Sequence, residues 1–187
     1  MPQSNEPSYH NSDAPIHCQG NPSDNPSDRA PEKPTIAVSA CLLGVACRYD
    51  GGSKPSQAVC DFIKTHDVNV VRICPEAMGG LSVPHPAHEI TYDAQGNRRV
   101  VDAQGNDSTK AFEGGARAAC RSAQRKGCTH AILKAKSPSC GVGEVYDGTF
   151  SKTVVDGDGL AAELLRNAGI KLATEKDFDQ VFKGDFD

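Results

Sequence analysis

The sequence of 187 residues contains no tryptophan, and aromatic residues make up only 5% of it. A folded core must therefore come mainly from Val, Ile, Leu and Ala side chains. An excess of basic residues is also missing, since the net charge is −4 and the pI is about 5.8. We therefore expect no DNA-binding surface of the usual basic kind. No apolar run approaches the roughly 20 residues of a membrane span, so no membrane segment is predicted.

The N-terminal region offers little that a core could bury. Residues 1–34 hold more than half of the twelve prolines, together with many Ser, Asn and Asp. Such a composition predicts a disordered tail over residues 1–34 and a folded domain over residues 35–187. The first residues have neither the basic start nor the apolar stretch of a secretory signal, and we expect a cytoplasmic protein.

Eight cysteines are many for a chain of this length. In a cytosolic protein, persistent disulfides are rare, and clustered cysteines more often indicate a metal site or catalysis. Cys60 and Cys120 lie in helical patterns and Cys128 lies at a turn, so these three are expected to be small buried apolar residues. Cys18 lies in the polar tail and is expected to be a free thiol.

Short apolar runs alternate with helical patterns along the folded part. Strands are predicted near residues 35–40, 68–73, 129–134 and 170–173, and helices after Pro55 and over 109–126, 160–167 and 175–182. This alternation predicts a single α/β domain with a mainly parallel, Rossmann-like sheet of about four strands flanked by helices. Residues 77–101 form a Gly- and Pro-rich insertion that ends in a hairpin. The close pair Gly114 and Gly115 suggests tight packing of the long helix against the site loop.

Three cysteines follow three of the predicted strands, namely Cys41, Cys74 and Cys140. The carboxyl ends of parallel strands share one edge of the sheet, where ligands bind, so three thiols there suggest a metal or cluster site. Three thiolates can hold zinc or a 4Fe–4S cluster with one open position. Cys47 is a candidate fourth ligand, or else it packs under the loop.

Polar residues near these cysteines are candidates for the chemistry. Glu76 lies two residues past Cys74 and is a candidate acid/base, or alternatively a surface residue or helix cap. Ser137 and Ser139 are candidate donors to a ligand, or turn formers. Lys134 ends a strand and either offsets thiolate charge or forms an ion pair.

Two further groups of residues are candidates for the site. Residues 48–50 lie just beyond Cys41 and are a candidate wall of a substrate pocket. A second metal site would use His85, His88 and Glu89, but the Pro-rich context and the absence of a helix argue against it.

Four motifs together carry a resemblance to a known family. They are S-A-C-L-L-G with C-R-Y-D-G at 39–51, C-P-E-x-x-G-G-L at 74–81, L-K-x-x-S-P-S-C-G-x-G at 133–143, and Y-D-G-x-F at 146–150. In this order they resemble the thiouracil desulfidase family, over about residues 35–175. The sequence departs from the family at residues 84–89, where members usually carry Arg after the first Pro. Here that position is His85, and His88 replaces a small residue, which bears on substrate preference.

The resemblance implies an iron–sulfur-dependent, non-redox desulfidase that cleaves a C–S bond, as a hydrolase or lyase, and converts 2-thiouracil into uracil and sulfide. It implies that Cys41, Cys74 and Cys140 hold a 4Fe–4S cluster whose open iron binds the sulfur of a thiolated base or nucleoside. Glu76 and Ser137 match the residues that assist the family's chemistry, and Lys134 is expected to steady the ring or developing charge.

Two other classes of protein fit the residues. One is a domain that binds zinc or an iron–sulfur cluster for structure or sulfur transfer and catalyses nothing. The other is a thiol enzyme that uses one activated cysteine without metal.

Overall fold

Four parallel strands form the central sheet of the computed structural model, which describes residues 33–186. They are β1 (Thr35–Ser39), β2 (Asn69–Ile73), β5 (His130–Leu133) and β8 (Lys171–Thr174), in the spatial order β2-β1-β5-β8. The predicted α/β class and four-stranded parallel sheet are therefore confirmed. The prediction of a disordered tail over residues 1–34 lies outside the described residues, apart from the last two.

Five helices and two antiparallel ribbons complete the described chain. The helices are α1 (Gln57–Thr65), α2 (Pro75–Met78), α3 (Thr109–Arg125), α4 (Leu160–Asn167) and α5 (Phe178–Val181). A short 3-10 helix, Ala40–Leu43, directly follows β1. The ribbons are β3 (His88–Tyr92) with β4 (Arg98–Asp102), and β6 (Glu144–Tyr146) with β7 (Val154–Asp156). No helix within residues 33–186 is both long and apolar enough to cross a membrane.

Helices cover both faces of the sheet because successive strand residues point to opposite sides. On one face, Ile36 and Val38 of β1 pack in a core with side chains from α1 and α5. On the other face, Ala37 packs with small and apolar side chains from α3 and α4. The strands are thus buried on both faces, as expected of a parallel sheet between helix layers.

The order of the strands creates a crevice at one edge of the sheet. The chain passes from β1 to β2 on one side and then returns across β1 to form β5 on the other side. The connections that leave the carboxyl ends of β1 and β5 therefore diverge. In open α/β sheets a ligand binds at this kind of reversal point.

Most local predictions hold, with three differences. The predicted hairpin is the β3–β4 ribbon, whose turn is held by Asp93 Oδ1, which accepts the Asn97 N–H at 2.8 Å. The last helix is shorter than the predicted 175–182, because Asp177 Oδ1 accepts the Thr174 N–H at 2.7 Å and keeps this segment in a turn. The β6–β7 ribbon and the single-turn helix α2 were not predicted, since each spans only three or four residues.

Candidate active site

A cavity of about 650 Å³ lies at the carboxyl edge of the central sheet. Its wall includes the three cysteines that follow β1, β2 and β5, namely Cys41, Cys74 and Cys140. Ser39 at the end of β1 and Lys134 just after β5 also line it, so the cavity lies at the reversal point of the sheet. The structure thus brings together the three thiols that the strand ends suggested.

Each thiol is fixed by the backbone at the end of its strand. Cys41 belongs to the 3-10 helix that ends β1, and Cys74 directly precedes α2, with Pro75 at the first helical position. The Cys74 thiol lies 3.5 Å from the carbonyl oxygen of Cys47. Cys140 closes a turn in which its N–H donates to Ser137 Oγ at 3.2 Å.

Burial governs the chemistry of these thiols. It raises the pKa of Cys41 to about 11, and the neighbouring Cys74 thiol adds to the rise. Burial also raises the pKa of Cys140, against the smaller, opposite effect of a hydrogen bond from Ser39. A nucleophilic cysteine needs a lowered pKa, so neither thiol is prepared for metal-free nucleophilic attack. Such thiols lose their protons readily only when a positively charged centre, such as a metal, binds the sulfur in place of the proton.

Cys47 is a fourth buried thiol in the same cavity. It belongs to the core cluster on the α1 side of the sheet, so it does pack under its loop. Burial raises the pKa of Cys47 to about 12, and the Cys74 thiol contributes next. Cys47 therefore packs under its loop, one of its two predicted roles, and it also lies in the cavity of the three strand-end thiols.

Ser39 is a site residue that the sequence did not indicate. It is only 2% exposed, and its Oγ accepts the Lys134 N–H at 3.0 Å. Its hydroxyl also acts to lower the pKa of the Cys140 thiol, which places it near that sulfur. Ser39 thus ties the ends of β1 and β5 together beneath Cys140. A small polar residue in a strand carries no signal of such a contact.

Glu76 and Ser137 face each other across the cavity wall. Glu76 is in the first turn of α2, and the Ser137 hydroxyl donates to its Oε1 at 3.4 Å. Ser137 Oγ also accepts the N–H groups of Ser139 and Cys140, at 3.1 and 3.2 Å. These two donors fix the direction of the Ser137 hydroxyl proton towards Glu76. Ser139, the alternative to Ser137, is 1% exposed, and its Oγ has no hydrogen-bond partner among the described residues.

His85 touches the second oxygen of Glu76. Its Nε2 lies 3.2 Å from Glu76 Oε2, close enough for an ion pair, but the two groups are not aligned for a hydrogen bond. The Glu76 carboxylate is the largest influence that raises the pKa of His85. The contact is therefore a close pair of opposite charges when the ring is protonated.

Lys134 forms the ion pair that was one of its two predicted roles. Its Nζ contacts Glu175 Oε1, and the other oxygen of Glu175 accepts the Ala135 N–H at 2.8 Å. Lys134 also lines the cavity, and its charge acts to lower the pKa of Cys41. It therefore pairs with Glu175 and also offsets charge on a strand-end thiol.

The second metal site considered at His85, His88 and Glu89 is not formed. No group of three His, Cys, Asp or Glu side chains within residues 33–186 is placed to hold a metal ion. The His88 ring contacts the Pro86 carbonyl oxygen at 2.7 Å and Ser108 Oγ at 2.8 Å. Glu89 Oε2 accepts the N–H groups of Gly148 and Phe150, both at 3.0 Å, and so fixes the loop between β6 and β7.

Comparison with known proteins gives a consistent result. The family described as 2-thiouracil desulfurase matches residues 36–177. The chain belongs to this family. A relative, the uncharacterized protein YbbK of Bacillus subtilis, is 34% identical over 151 residues, covering 78% of this chain and 99% of the relative. A solved structure, the [4Fe-4S]-dependent thiouracil desulfidase TudS, superposes with a TM-score of 0.70 at 37% identity. It covers 80% of this chain and 95% of that one.

The donor set of this desulfurase family member fits an iron–sulfur cluster. Three thiols, of which Cys41 and Cys140 are buried and Cys74 is half-buried, are soft ligands of the kind that such clusters use, and they line one cavity. A single zinc ion draws its ligands to within about 2.3 Å of one point. The described residues contain no three-ligand group of that kind. A cluster binds each cysteine to a different iron and so suits more widely spaced thiols.

Two further groups of residues line the cavity of this desulfurase. Arg48 and Tyr49 line it as expected, whereas Asp50 does not line it and instead pairs with Arg48 at 3.1 Å. Three other cations line it from separate loops and were not singled out in the sequence: Lys136, Lys152 and Lys176. Isolated lysines in loops carry no spacing that would reveal their convergence.

Proposed function

We propose that this protein is a 4Fe–4S-dependent desulfidase that hydrolyses 2-thiouracil to uracil and hydrogen sulfide. One observation carries the proposal: three strand-end thiols, two of them buried and one half-buried, and the Glu76 carboxylate line a single cavity at the reversal point of the sheet. Family membership supports the same activity. The proposed class is a C–S bond-cleaving hydrolase or lyase, acting on a small thiolated base or nucleoside.

Cys41, Cys74 and Cys140 are the proposed cluster ligands. When bound, a 4Fe–4S cluster with three cysteine ligands supplies one open iron, a thiophilic Lewis acid for the thiocarbonyl sulfur. Cys41 and Cys140 are only 8% and 5% exposed, and Cys74 is half-buried, so the protein limits the contact of all three sulfurs with solvent.

Glu76 is the proposed general base. Overall, the thiocarbonyl carbon gains oxygen from water and loses sulfur, and both water hydrogens leave with the sulfur as hydrogen sulfide. Glu76 accepts a proton from the attacking water, because its carboxylate is oriented by the Ser137 hydroxyl at Oε1 and by the His85 ring beside Oε2. It can then return that proton to the departing sulfur, so no external acid is needed.

Ser137 and Lys134 are the proposed supporting residues. Ser137 directs its proton at Glu76 Oε1, and its acceptor side anchors the turn of Cys140. It therefore links the base to one ligand-bearing loop. Lys134 balances negative charge at the thiols while Glu175 holds its position. These contacts support positioning and electrostatic roles for both residues.

The test is purification of the full chain without oxygen, followed by analysis of iron, acid-labile sulfide and zinc. We expect a brown protein with iron and sulfide in cluster proportion, which forms uracil and hydrogen sulfide from 2-thiouracil. Cys41→Ser, Cys74→Ser and Cys140→Ser should each lose iron and turnover. Cys60→Ser is the matched control, because Cys60 is only partly buried and lies on α1 away from the cavity.

Two results would contradict the proposal. A colourless, zinc-containing protein without turnover would favour a structural metal-binding domain. Full turnover in protein free of iron would favour a thiol enzyme.

A further inference from the structure

His85 is a buried titratable residue of the cavity with well-defined neighbours. It lies in the loop between α2 and β3, and its side chain is only 5% exposed. The backbone N–H of His85 donates to the Tyr49 carbonyl oxygen at 2.9 Å, which ties this loop to the wall of the cavity that carries Tyr49. Its Nδ1 lies 2.8 Å from the carbonyl oxygen of Pro86. A carbonyl oxygen only accepts, so Nδ1 must carry a hydrogen.

The number of protons carried by the His85 ring and the Glu76 carboxylate follows from these contacts. A neutral imidazole has one N–H, and in His85 the Nδ1 contact uses it. Without a further proton, the Nε2 lone pair would face the Glu76 carboxylate at 3.2 Å, with an acceptor on each side. A proton on Nε2 removes this opposition of two acceptors and places an imidazolium beside the carboxylate, in keeping with the raised pKa of His85 that the Glu76 contact causes.

We propose that His85 is a positioning residue for Glu76, and that the protonated His85 ring holds the carboxylate in place during desulfidation. This inference rests on the proposed function of Glu76. His85 holds Oε2, and Ser137 donates to Oε1. The carboxylate is thereby held from both sides, with its remaining lone pairs available for water.

The surroundings leave Glu76 as the group that keeps the proton on His85. The nearest other titratable ring is His88, at 5.5 Å between centroids. Burial lowers the pKa of His88, so it is neutral at pH 7. Further charged groups line the same cavity: Arg48, Glu89, Lys134, Lys136, Lys152 and Lys176. Arg48 is paired with Asp50, Lys134 with Glu175, and Glu89 with the β6–β7 loop. The Glu76 contact is also what raises the pKa of His85.

A histidine in this place gives turnover an alkaline limit. As pH rises through the pKa of His85, Nε2 loses its proton and Glu76 loses its cationic partner. The catalytic rate should then fall with the loss of one proton. An arginine carries the same charge at every working pH, so it should support Glu76 without that limit.

The experiment compares kcat across neutral and alkaline pH for the cluster-loaded full chain and two variants. His85→Gln should lower kcat about 10- to 100-fold, as for hydrogen-bond partners that orient the groups of a metal site. It should keep its iron content and lose the alkaline limb. His85→Arg should restore kcat and show a flat alkaline profile. His66→Gln is the control, since His66 ends α1 outside the cavity. An unchanged limb in His85→Arg, or loss of iron in step with rate in His85→Gln, would overturn the inference.

A second readout does not require turnover. Histidine-ring ¹⁵N NMR of the cluster-loaded chain should show His85 keeping its Nε2 proton to higher pH than a free imidazole, whose pKa is about 6.5. Glu76→Gln should bring the His85 titration down towards that value. If His85 titrates alike in both proteins, the inference fails even if the desulfidase is active. If the wild type shows the expected titration but forms no uracil, the proposed function fails and the charged pair of His85 and Glu76 stands.

Discussion

Gly115 of α3 lies so close to Pro75 of α2 that a Cβ on Gly115 would stand 1.8 Å from the Pro75 carbonyl oxygen. Helix α2 is a single turn that begins directly after Cys74 and carries Glu76. It therefore relies on α3 for its position. The expected close packing of the glycine pair is confirmed for Gly115, whereas a Cβ on Gly114 would meet nothing within 4 Å.

Gly115→Ala should displace α2 and with it both site residues. We expect a loss of about 1–3 kcal/mol in the free energy of unfolding, typical of overpacking, together with weaker iron retention. Gly114→Ala is the matched control, one residue away in the same helix. It should instead gain roughly 0.5–1 kcal/mol, because alanine favours helix over glycine. Chemical denaturation and iron analysis measure both, and equal stability of the two variants would contradict the close contact.

Glu76→Gln should separate catalysis from cluster binding. The three thiols are untouched, so iron content and binding of 2-thiouracil should remain. Turnover should fall by about 10²- to 10⁴-fold, the usual effect of losing general acid–base help. Glu113→Gln is a suitable control, because Glu113 is an exposed residue of α3 paired with Arg117. A Glu76→Gln variant that loses iron in proportion to rate would instead make Glu76 structural.

The two serines before Cys140 should behave in opposite ways. Ser137→Ala removes a donor to Glu76 and the acceptor of two N–H groups, so both turnover and the Cys140 turn should suffer. Ser139→Ala removes a buried hydroxyl that has no partner among the described residues. It should be neutral or stabilising by about 1 kcal/mol, or roughly 2–4 °C in Tm. Calorimetry and rate measurements on the pair would refute this assignment if Ser139→Ala proved the more damaging.

His88 should make the fold sensitive to acid. Burial lowers its pKa below the ordinary 6.5, so the folded chain binds a proton less readily than the unfolded chain. The contribution of neutral His88 to the stability of the fold is present in full above the ordinary pKa of 6.5. It is lost as the pH falls towards the lower pKa of His88 in the folded chain. The difference in unfolding free energy between the wild type and His88→Asn should therefore shrink on acidification. A difference that stays constant with pH would show that His88 does not titrate in this way.

The strands and their cysteines could be predicted from sequence because both are local signals. Runs such as Ile36–Val38 mark buried strands, and a thiol after each run must arrive at the same edge of a parallel sheet. The pairings at the site could not be read in this way. His85 with Glu76 and Ser39 with Cys140 depend on where loops cross, and no spacing in the chain encodes those contacts. Helix α5 was predicted too long because the Asp177–Thr174 hydrogen bonds compete with helix formation.

Because the three thiols follow separate strands, the order in which the strands pair decides when the thiols come together. Cys140 reaches the other two only after β5 has paired with β1, a contact between distant parts of the chain. A nascent chain that has made β1 and β2 alone therefore lacks the third of the proposed ligands. On that assignment, complete cluster loading has to follow the pairing of β5 with β1.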